Sequence, residues 1–266
     1  MAWTKTYAGA EAQRVNKWLA AEGVCSRREA EGLIADGLIS IDGARVDDPG
    51  RKIEPGQTLT LQDGKRRTPI SVVLNKPIGF VSAQPEGDQI PAARLLTAAN
   101  LQADRASSDA HAGLKARGPV HMPTKHTSLA PLGRLDQDSR GLLVLSEDGV
   151  LAKALVGEMS ALDKEYLVRV EGRIDENKLE LLRHGLVLDH RKLKRAKITQ
   201  VEPQRLRFVL NEGMKRQIRR MCELVDLEVT DLLRLRIGPL KLGNLQEGKW
   251  RALTPAEREA LISASK

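Results

Sequence analysis

The densest concentration of chemically useful side chains is the stretch PLGRLDQDSRGLLVLSEDG at 131–149, where Arg134, Asp136, Asp138, Arg140 and Glu147 interrupt an apolar run. From Asp136 to Glu147 the spacing nearly meets the calcium-loop pattern, with Asp at positions 1 and 3, Gly at 6 and Glu at 12. Arg140 defeats that reading, because it puts a cation where position 5 must supply an oxygen, and residues 142–145 read as a buried strand instead of an exiting helix. By spacing alone, Asp136 and Asp138 read as turn carboxylates ahead of a strand. The chemical alternative is a lone aspartate with an arginine two residues before it, held by a turn at the mouth of a sheet. No second catalytic carboxylate, Ser-His pair, phosphate-cradling loop or GxGxxG accompanies it in the sequence, so hydrolases, kinases and dehydrogenases lack their required parts. A reaction that runs on one carboxylate without a cofactor fits.

The second concentration is EGMKRQIRRMC at 212–222. Ile218, Met221, Cys222 and Val225 fall at i, i+3, i+4 and i+7, which predicts a helix with one buried side and with Lys215, Arg216, Arg219 and Arg220 around its margin. A solvated basic helix is the plain reading. Phosphate binding is the sharper one, and one arginine could instead pair with a buried carboxylate.

The elements that must position these residues are legible as two groups. At the N-terminus a short polar start precedes Val15, Trp18 and Leu19 at helical spacing up to Gly23. Ser26-Arg27-Arg28-Glu29 then forms a capping box that opens a second helix. A hairpin over 38–46 turning at Asp42-Gly43 and a strand around Leu59 and Leu61 complete an α-α-β unit at 12–63. Residues 64–69 read as a polar linker. From 70 to 255, strand-like stretches at 71–75, 142–146, 166–170 and 206–210 alternate with helical ones at 150–156 and 177–184, which predicts an α+β domain on a mixed, largely antiparallel sheet. Thr254-Pro255-Ala256-Glu257 opens a final helix within a 256–266 tail. Residues 97–128 lack periodicity and are expected to form a mobile insertion. They hold His111, His121 and His126, but without cysteines or an acidic partner at ligand spacing no metal site is predicted.

Charge sharpens this division. The chain of 266 residues carries a net +8, yet residues 183–220 alone hold twelve Lys/Arg against three acids, and residues 12–63 hold seven against nine. A polyanionic partner is therefore indicated chiefly for the C-terminal half. Cys25 and Cys222 form no CxxC and read as small core residues. No window approaches a membrane span and the start lacks a signal-peptide core, so a cytoplasmic, non-membrane protein is expected.

With these residues in place, the sequence resembles the RsuA-type rRNA pseudouridine synthases, which carry an S4-like RNA-binding domain ahead of the catalytic domain. The match rests on residues 14–62, on LNKPIGFVS at 74–82, and on GRLDQDSRGLLVLSEDG, KEYLV, EGMKRQIRRMCE and LRIGPLKLGNL in that order. GRLD combined with QIRRM is highly specific. The resemblance implies that Asp136 is the catalytic aspartate, that Arg134 fills the space of a flipped nucleotide, that Tyr166 stacks on the target uracil and that Arg219 is the basic partner of the aspartate. Without the resemblance, Tyr166 could equally be a strand core residue. Isomerising uridine breaks C1′–N1, rotates the uracil and forms C1′–C5, which consumes no cofactor but requires the detached base to be retained. An aromatic platform and an inserted arginine suit a base taken out of its stack. The aspartate could attack C1′ or abstract a proton to give a glycal.

In the S4-like unit, Arg14, Lys17, Ser26, Arg27 and Arg28 at the helix starts are the candidate RNA contacts, and in the catalytic domain Lys215, Arg216 and Arg220 are. Few aromatic residues are present, which argues against a base-stacking RRM or OB platform. Neither cofactor nor metal is expected. The implied substrate is ribosomal RNA, with 23S preferred on NKPIGFVS and LDQDS and with 16S rRNA or tRNA as alternatives, and a monomer is expected. A non-catalytic RNA-binding or ribosome-assembly factor is the reading from another class, and the combination of Asp136, Tyr166 and Arg219 argues against it.

Overall fold

The computed structural model describes residues 3–62, 69–82, 85–102, 129–157, 160 and 162–265. The chain folds into two compact units, Met1–Pro69 with Asp148–Lys153, and Ile70–Glu147 with Ala154–Lys266. The architecture is α+β. None of the described helices is long and apolar enough to cross a membrane.

In the N-terminal unit, α1 (Val15–Ala21) and α2 (Arg27–Ala35) share a core with strands β1 (Trp3–Thr6), β2 (Ile39–Ile41), β3 (Ala44–Arg45) and β4 (Thr58–Leu61), which are ordered β1-β4-β2-β3. The Ser26 hydroxyl accepts from the Glu29 amide at 3.2 Å and the Glu29 carboxylate accepts from the Ser26 amide at 2.6 Å, so the capping box forms as its spacing predicts. Asp42 (φ 50°) and Gly43 (φ 83°) make the tight turn between β2 and β3. β1 is a finding beyond the polar start read from the sequence. Four residues give too little pattern to read, and the strand is held by rings: Trp3 and Tyr7 meet Trp18 edge-on, with centroids 5.9 and 5.2 Å away.

The C-terminal unit is built on β5 (Ser71–Lys76), β6 (Arg140–Ser146), β7 (Lys164–Glu171), β8 (Lys197–Glu202), β9 (Arg205–Leu210), β10 (Glu228–Ile237) and β11 (Trp250–Ala252), in the order β8-β9-β7-β10-β6-β5-β11. Short strands at Ala130–Pro131 and Leu240–Lys241 extend β6 and β10. Only β6 and β10 run parallel; the other described pairings in the sheet are antiparallel. The remaining helices in chain order are α3 (Gly149–Val156), whose residues up to Lys153 group with the N-terminal unit, and α4 (Glu176–Arg183), α5 (Gln217–Glu223) and α6 (Pro255–Ala264) of the C-terminal unit. Two apolar clusters hold the unit together. One joins α4 and α5 to β7 and β9 through Leu182, Met221, Cys222, Val168 and Phe208. The other joins β5, β6 and β11 through Leu74, Leu143 and Trp250. Tyr166 packs against both.

The first residues of the expected insertion belong to this fold. The Trp250 indole donates to the Thr97 carbonyl at 2.8 Å, and the Gln102 amide donates to the Trp250 carbonyl at 2.9 Å. The rest of that segment, with His111, His121 and His126, lies outside the described residues.

At the parallel junction, Gly141 faces Arg234 across the ladder. Its φ is +107°, and a Cβ there would sit 2.4 Å from the Arg234 carbonyl oxygen. Both the left-handed backbone and the close approach require glycine. Gly141→Ala is therefore expected to lower the free energy of unfolding by about 3 kcal/mol or more, measured by urea titration.

β5 ends in Lys76, which is wholly buried. Its ammonium donates to the carbonyls of Pro77 (2.8 Å) and Phe80 (2.7 Å). Burial pushes its pKa down from 10.5 to about 8, against the upward pull of Asp138 and Asp136. Below that value the lysine is charged in both the folded and unfolded chain. Above it the folded chain releases the proton while the unfolded chain keeps it to about 10.4, so the contribution to stability rises with pH across this window. The stability difference between wild type and Lys76→Met, measured by urea titration from pH 7 to 10.5, is expected to shift in favour of wild type by roughly 2–3 kcal/mol. A difference that stays flat with pH would refute the assignment.

Candidate active site

A cleft of about 730 Å³ opens in the C-terminal unit. Its wall carries Arg134, Asp136, Tyr166 and Arg219 together, with Lys164, Lys215, Arg216 and Arg234 around them. These residues come from four places: the turn before β6, the start of β7, α5 with the segment leading into it, and β10. Sequence separation between them reaches 100 residues, from Arg134 to Arg234, so only the sheet brings them together.

The turn that carries Asp136 has few ladder bonds of its own and is fastened from the segment after β5. The Ser82 hydroxyl donates to the Leu135 carbonyl at 2.7 Å and accepts from the Leu135 amide at 2.9 Å. Two residues further on, the Gly79 amide donates to the Gln137 carbonyl at 2.8 Å, and the Gln137 side chain donates back to the Gly79 carbonyl at 3.2 Å. Within the turn, the Ser139 amide donates to the Asp136 carbonyl at 3.1 Å. The LNKPIGFVS stretch is thus the outer brace of the aspartate turn. Asp136 itself is half-buried and Arg134 is exposed at the rim.

Tyr166 lies on β7, opposite Phe208 on β9 and Arg234 on β10. It is half-buried, so it serves the core on one side and the cleft on the other. Lys164, two residues earlier on the same face, has its pKa lowered by burial and by the nearby Arg234 charge.

Arg219 is paired differently from what the sequence suggested. Its guanidinium lies against Asp138, with Nε 3.2 Å from the carboxylate and Nη2 donating to the Asp138 carbonyl at 2.8 Å; Nη1 donates to the Val229 carbonyl at 2.9 Å. Arg216 donates to the same carboxylate at 2.9 Å. The partner of Arg219 is the second aspartate of the turn, not Asp136. The sequence pattern could not separate the two, because Asp136 and Asp138 stand two residues apart in one turn. Arg216 holds φ at 52° to make this contact, a strained value for an arginine and one found at functional sites.

The remaining basic residues divide by partner. Arg220 forms a two-pronged pair with Asp189 at 2.6 and 2.9 Å, which lowers the Asp189 pKa, while Lys215 is exposed at the cleft. Glu212 also reaches the cleft, but its Oε1 accepts from the Lys194 amide and the Gln217 side chain at 3.1 and 2.9 Å. It ties the basic segment to the head of α5. A second hollow of about 650 Å³ lies against Arg216 and Arg219 and is walled by Glu171, Glu223, Asp226 and Glu228. That acidic wall is unsuited to a polyanion. In the N-terminal unit, Arg14 and Lys17 at the start of α1 and Arg27 at the start of α2 are exposed, whereas the Ser26 hydroxyl is occupied as a helix cap. Arg28 lies on α2.

Lys76, Ser82, Asp138, Lys164 and Arg234 were not singled out from the sequence as site residues. The signal for Arg234 was a charge flanked by Leu233 and Leu235 at an inward position of the strand.

Comparison with known proteins agrees with this geometry. The RNA pseudouridylate synthase family profile matches residues 70–224 and the S4 domain profile matches residues 13–59. An uncharacterized RNA pseudouridine synthase of Aquifex aeolicus is 32% identical over 261 residues, covering 94% of each chain. The ribosomal large subunit pseudouridine synthase B of Bacillus subtilis is 30% identical over 257 residues, covering 94% of this chain and 95% of that protein. The dual-specificity RNA pseudouridine synthase RluF of Escherichia coli K12 is 31% identical over 250 residues, covering 92% and 76%. A solved pseudouridylate synthase shares the fold at a TM-score of 0.60 and 23% identity, covering 95% of this chain and all of that one. Asp136 on a braced turn, sharing a basic cleft with Tyr166, thus stands in a chain whose relatives match it almost from end to end, and the chain belongs to the RNA pseudouridine synthase family.

Proposed function

We propose that this enzyme isomerises one uridine of ribosomal RNA to pseudouridine, with 23S rRNA as the preferred substrate. The observation that carries the reading is the meeting of Arg134, Asp136, Tyr166 and Arg219 in one cleft. Two relatives support the substrate: their names place one on the large ribosomal subunit and give the other dual specificity.

In this reading the target uridine leaves its stack, at a cost of a few kcal/mol, and its base lies on Tyr166. Arg134, exposed at the rim, occupies the space left in the RNA. The Asp136 carboxylate acts at the sugar, as nucleophile on C1′ or as base toward a glycal, and the C1′–N1 bond breaks. The uracil turns within the cleft, C5 bonds to C1′ as the Asp136–C1′ ester bond breaks or as C2′ of the glycal regains its proton from the Asp136 carboxyl, and the C5 proton is lost as N1 gains one, so product and substrate are isomers. Arg219, anchored on Asp138, lines the same wall as a fixed cation. Lys215 holds phosphate by charge, with Arg216 and Arg220, already paired with Asp138 and Asp189, beside it, and the S4 domain adds contacts through Arg14, Lys17, Arg27 and Arg28 around the α2 start that Ser26 caps.

The test is a pseudouridine map of 23S rRNA, 16S rRNA and tRNA from cells with and without the gene, complemented by wild type and by Asp136→Ala. One site lost, and restored only by wild type, supports the reading and names the target. An unchanged map favours an RNA-binding or assembly role. In vitro, Asp136→Asn is expected to abolish turnover while RNA affinity stays within about threefold, since chemistry and phosphate binding use different residues. Equal loss of both would contradict the assigned roles.

A further inference from the structure

Arg234 stands in the middle of β10, paired with Tyr166 on one side and Gly141 on the other, and is only 2% exposed. A cation there is costly, and a leucine would pack the strand without that cost. Nothing in the ladder requires the side chain, because the backbone makes the pairings. Nor does the guanidinium answer a carboxylate among the described residues. Its Nε donates to the Leu142 carbonyl at 2.7 Å, its Nη1 donates to the Arg134 carbonyl at 3.2 Å, and its Nη2 is buried without a partner among the described residues. The first acceptor belongs to β6 and the second to the turn that carries Asp136. One rigid planar group therefore spans the sheet and the turn.

We infer that Arg234 is a positioning residue for the catalytic turn, fixing the backbone of Arg134–Asp136 relative to β6 and Tyr166 from beneath while Ser82 fixes it from the other side. The inference rests on the reading of Asp136 as the reacting carboxylate. The fork geometry explains why arginine occupies the position. A lysine ammonium presents its donors from a single point and lacks the planar fork whose separate nitrogens, Nε and Nη1, each take one carbonyl here. A site that must align a carboxylate with a flipped base loses rate when its support loosens by even an ångström. The unsatisfied Nη2 and the uncompensated charge are the cost of that support.

The experiment compares wild type, Arg234→Lys and Arg234→Met in single-turnover pseudouridine formation on rRNA, with RNA affinity and amide exchange of the peptide spanning 133–139 measured alongside. Arg234→Lys is expected to slow the rate by about 10–100-fold with the RNA Kd within threefold, and Arg234→Met to slow it further. Exchange over 133–139 is expected to accelerate while peptides of α4 stay unchanged. In Ser82→Ala/Arg234→Lys the two rate losses should fail to multiply, because both residues brace one turn. A purely structural role would lower stability and leave the rate per folded molecule alone. Rates within twofold of wild type and unchanged exchange over 133–139 would overturn the inference. If Arg234→Met does not fold, Arg234→Lys decides alone. The exchange readout does not depend on turnover, so a wild type inactive on rRNA would count against the proposed substrate without masking the result for Arg234.

Discussion

A turn without regular secondary structure carries Asp136, the carboxylate of the proposed reaction, and several neighbouring groups serve to hold it. Residues 134–139 cannot fix themselves through a helix or a ladder, so their backbone groups are satisfied by neighbours on several sides. Ser82 and Gly79 fasten Leu135 and Gln137 from the segment after β5. Arg234 supports the Arg134 carbonyl from β10, and Arg219 reaches the Asp138 carbonyl from α5. Each brace originates in a different element, which is why the sheet order matters to function. The parallel junction of β6 and β10, with glycine at its closest point, brings β10 beneath the first half of the turn.

These braces place several cations where water is scarce. Lys76 is depressed to about 8 by burial although two aspartates act to raise it, and Lys164 is depressed by burial and by Arg234. Desolvation therefore outweighs attraction at Lys76. Proteins seldom tolerate such groups without a return in specificity or function. Here the return is geometric, since the buried donors terminate on carbonyls of the turns around the cleft, at Pro77, Phe80, Arg134 and Asp138.

Much of the fold was legible because local rules and global packing agree. The Ser26 and Thr254 capping boxes, the Asp42-Gly43 turn and the apolar face of α5 form as their spacing predicts. What escaped had identifiable causes. β1 is four residues long and depends on distant rings. β10 was obscured because Arg234 and Arg236 interrupt its apolar alternation; the first is a buried brace, and the second pairs with Asp163 and Glu165. Thr97 and Leu101 looked like part of a loop because their partner, Trp250, lies some 150 residues downstream. The identity of the cleft residues followed from motif resemblance, but their partners did not. Nothing in GRLDQD says that the second aspartate takes the arginine, because side-chain direction in an irregular turn is set by tertiary contacts.

The basic residues of the cleft accordingly do two kinds of work, and burial separates them. Arg134 and Lys215 are exposed, so they can exchange counterions for phosphates, and their effect on affinity must weaken with salt, whereas Arg216, also exposed, is held by Asp138. Arg219, Arg234 and Lys76 are buried and hydrogen-bonded to backbone, so they are shielded from salt and contribute little to long-range attraction. Net charge alone conflates the two sets. A +8 chain advertises an anionic partner, yet a substantial share of the positive charge around the aspartate serves internal geometry. In the proposed function, retaining the RNA and aligning the uridine are therefore separable properties of one surface, governed by different residues of the same sign.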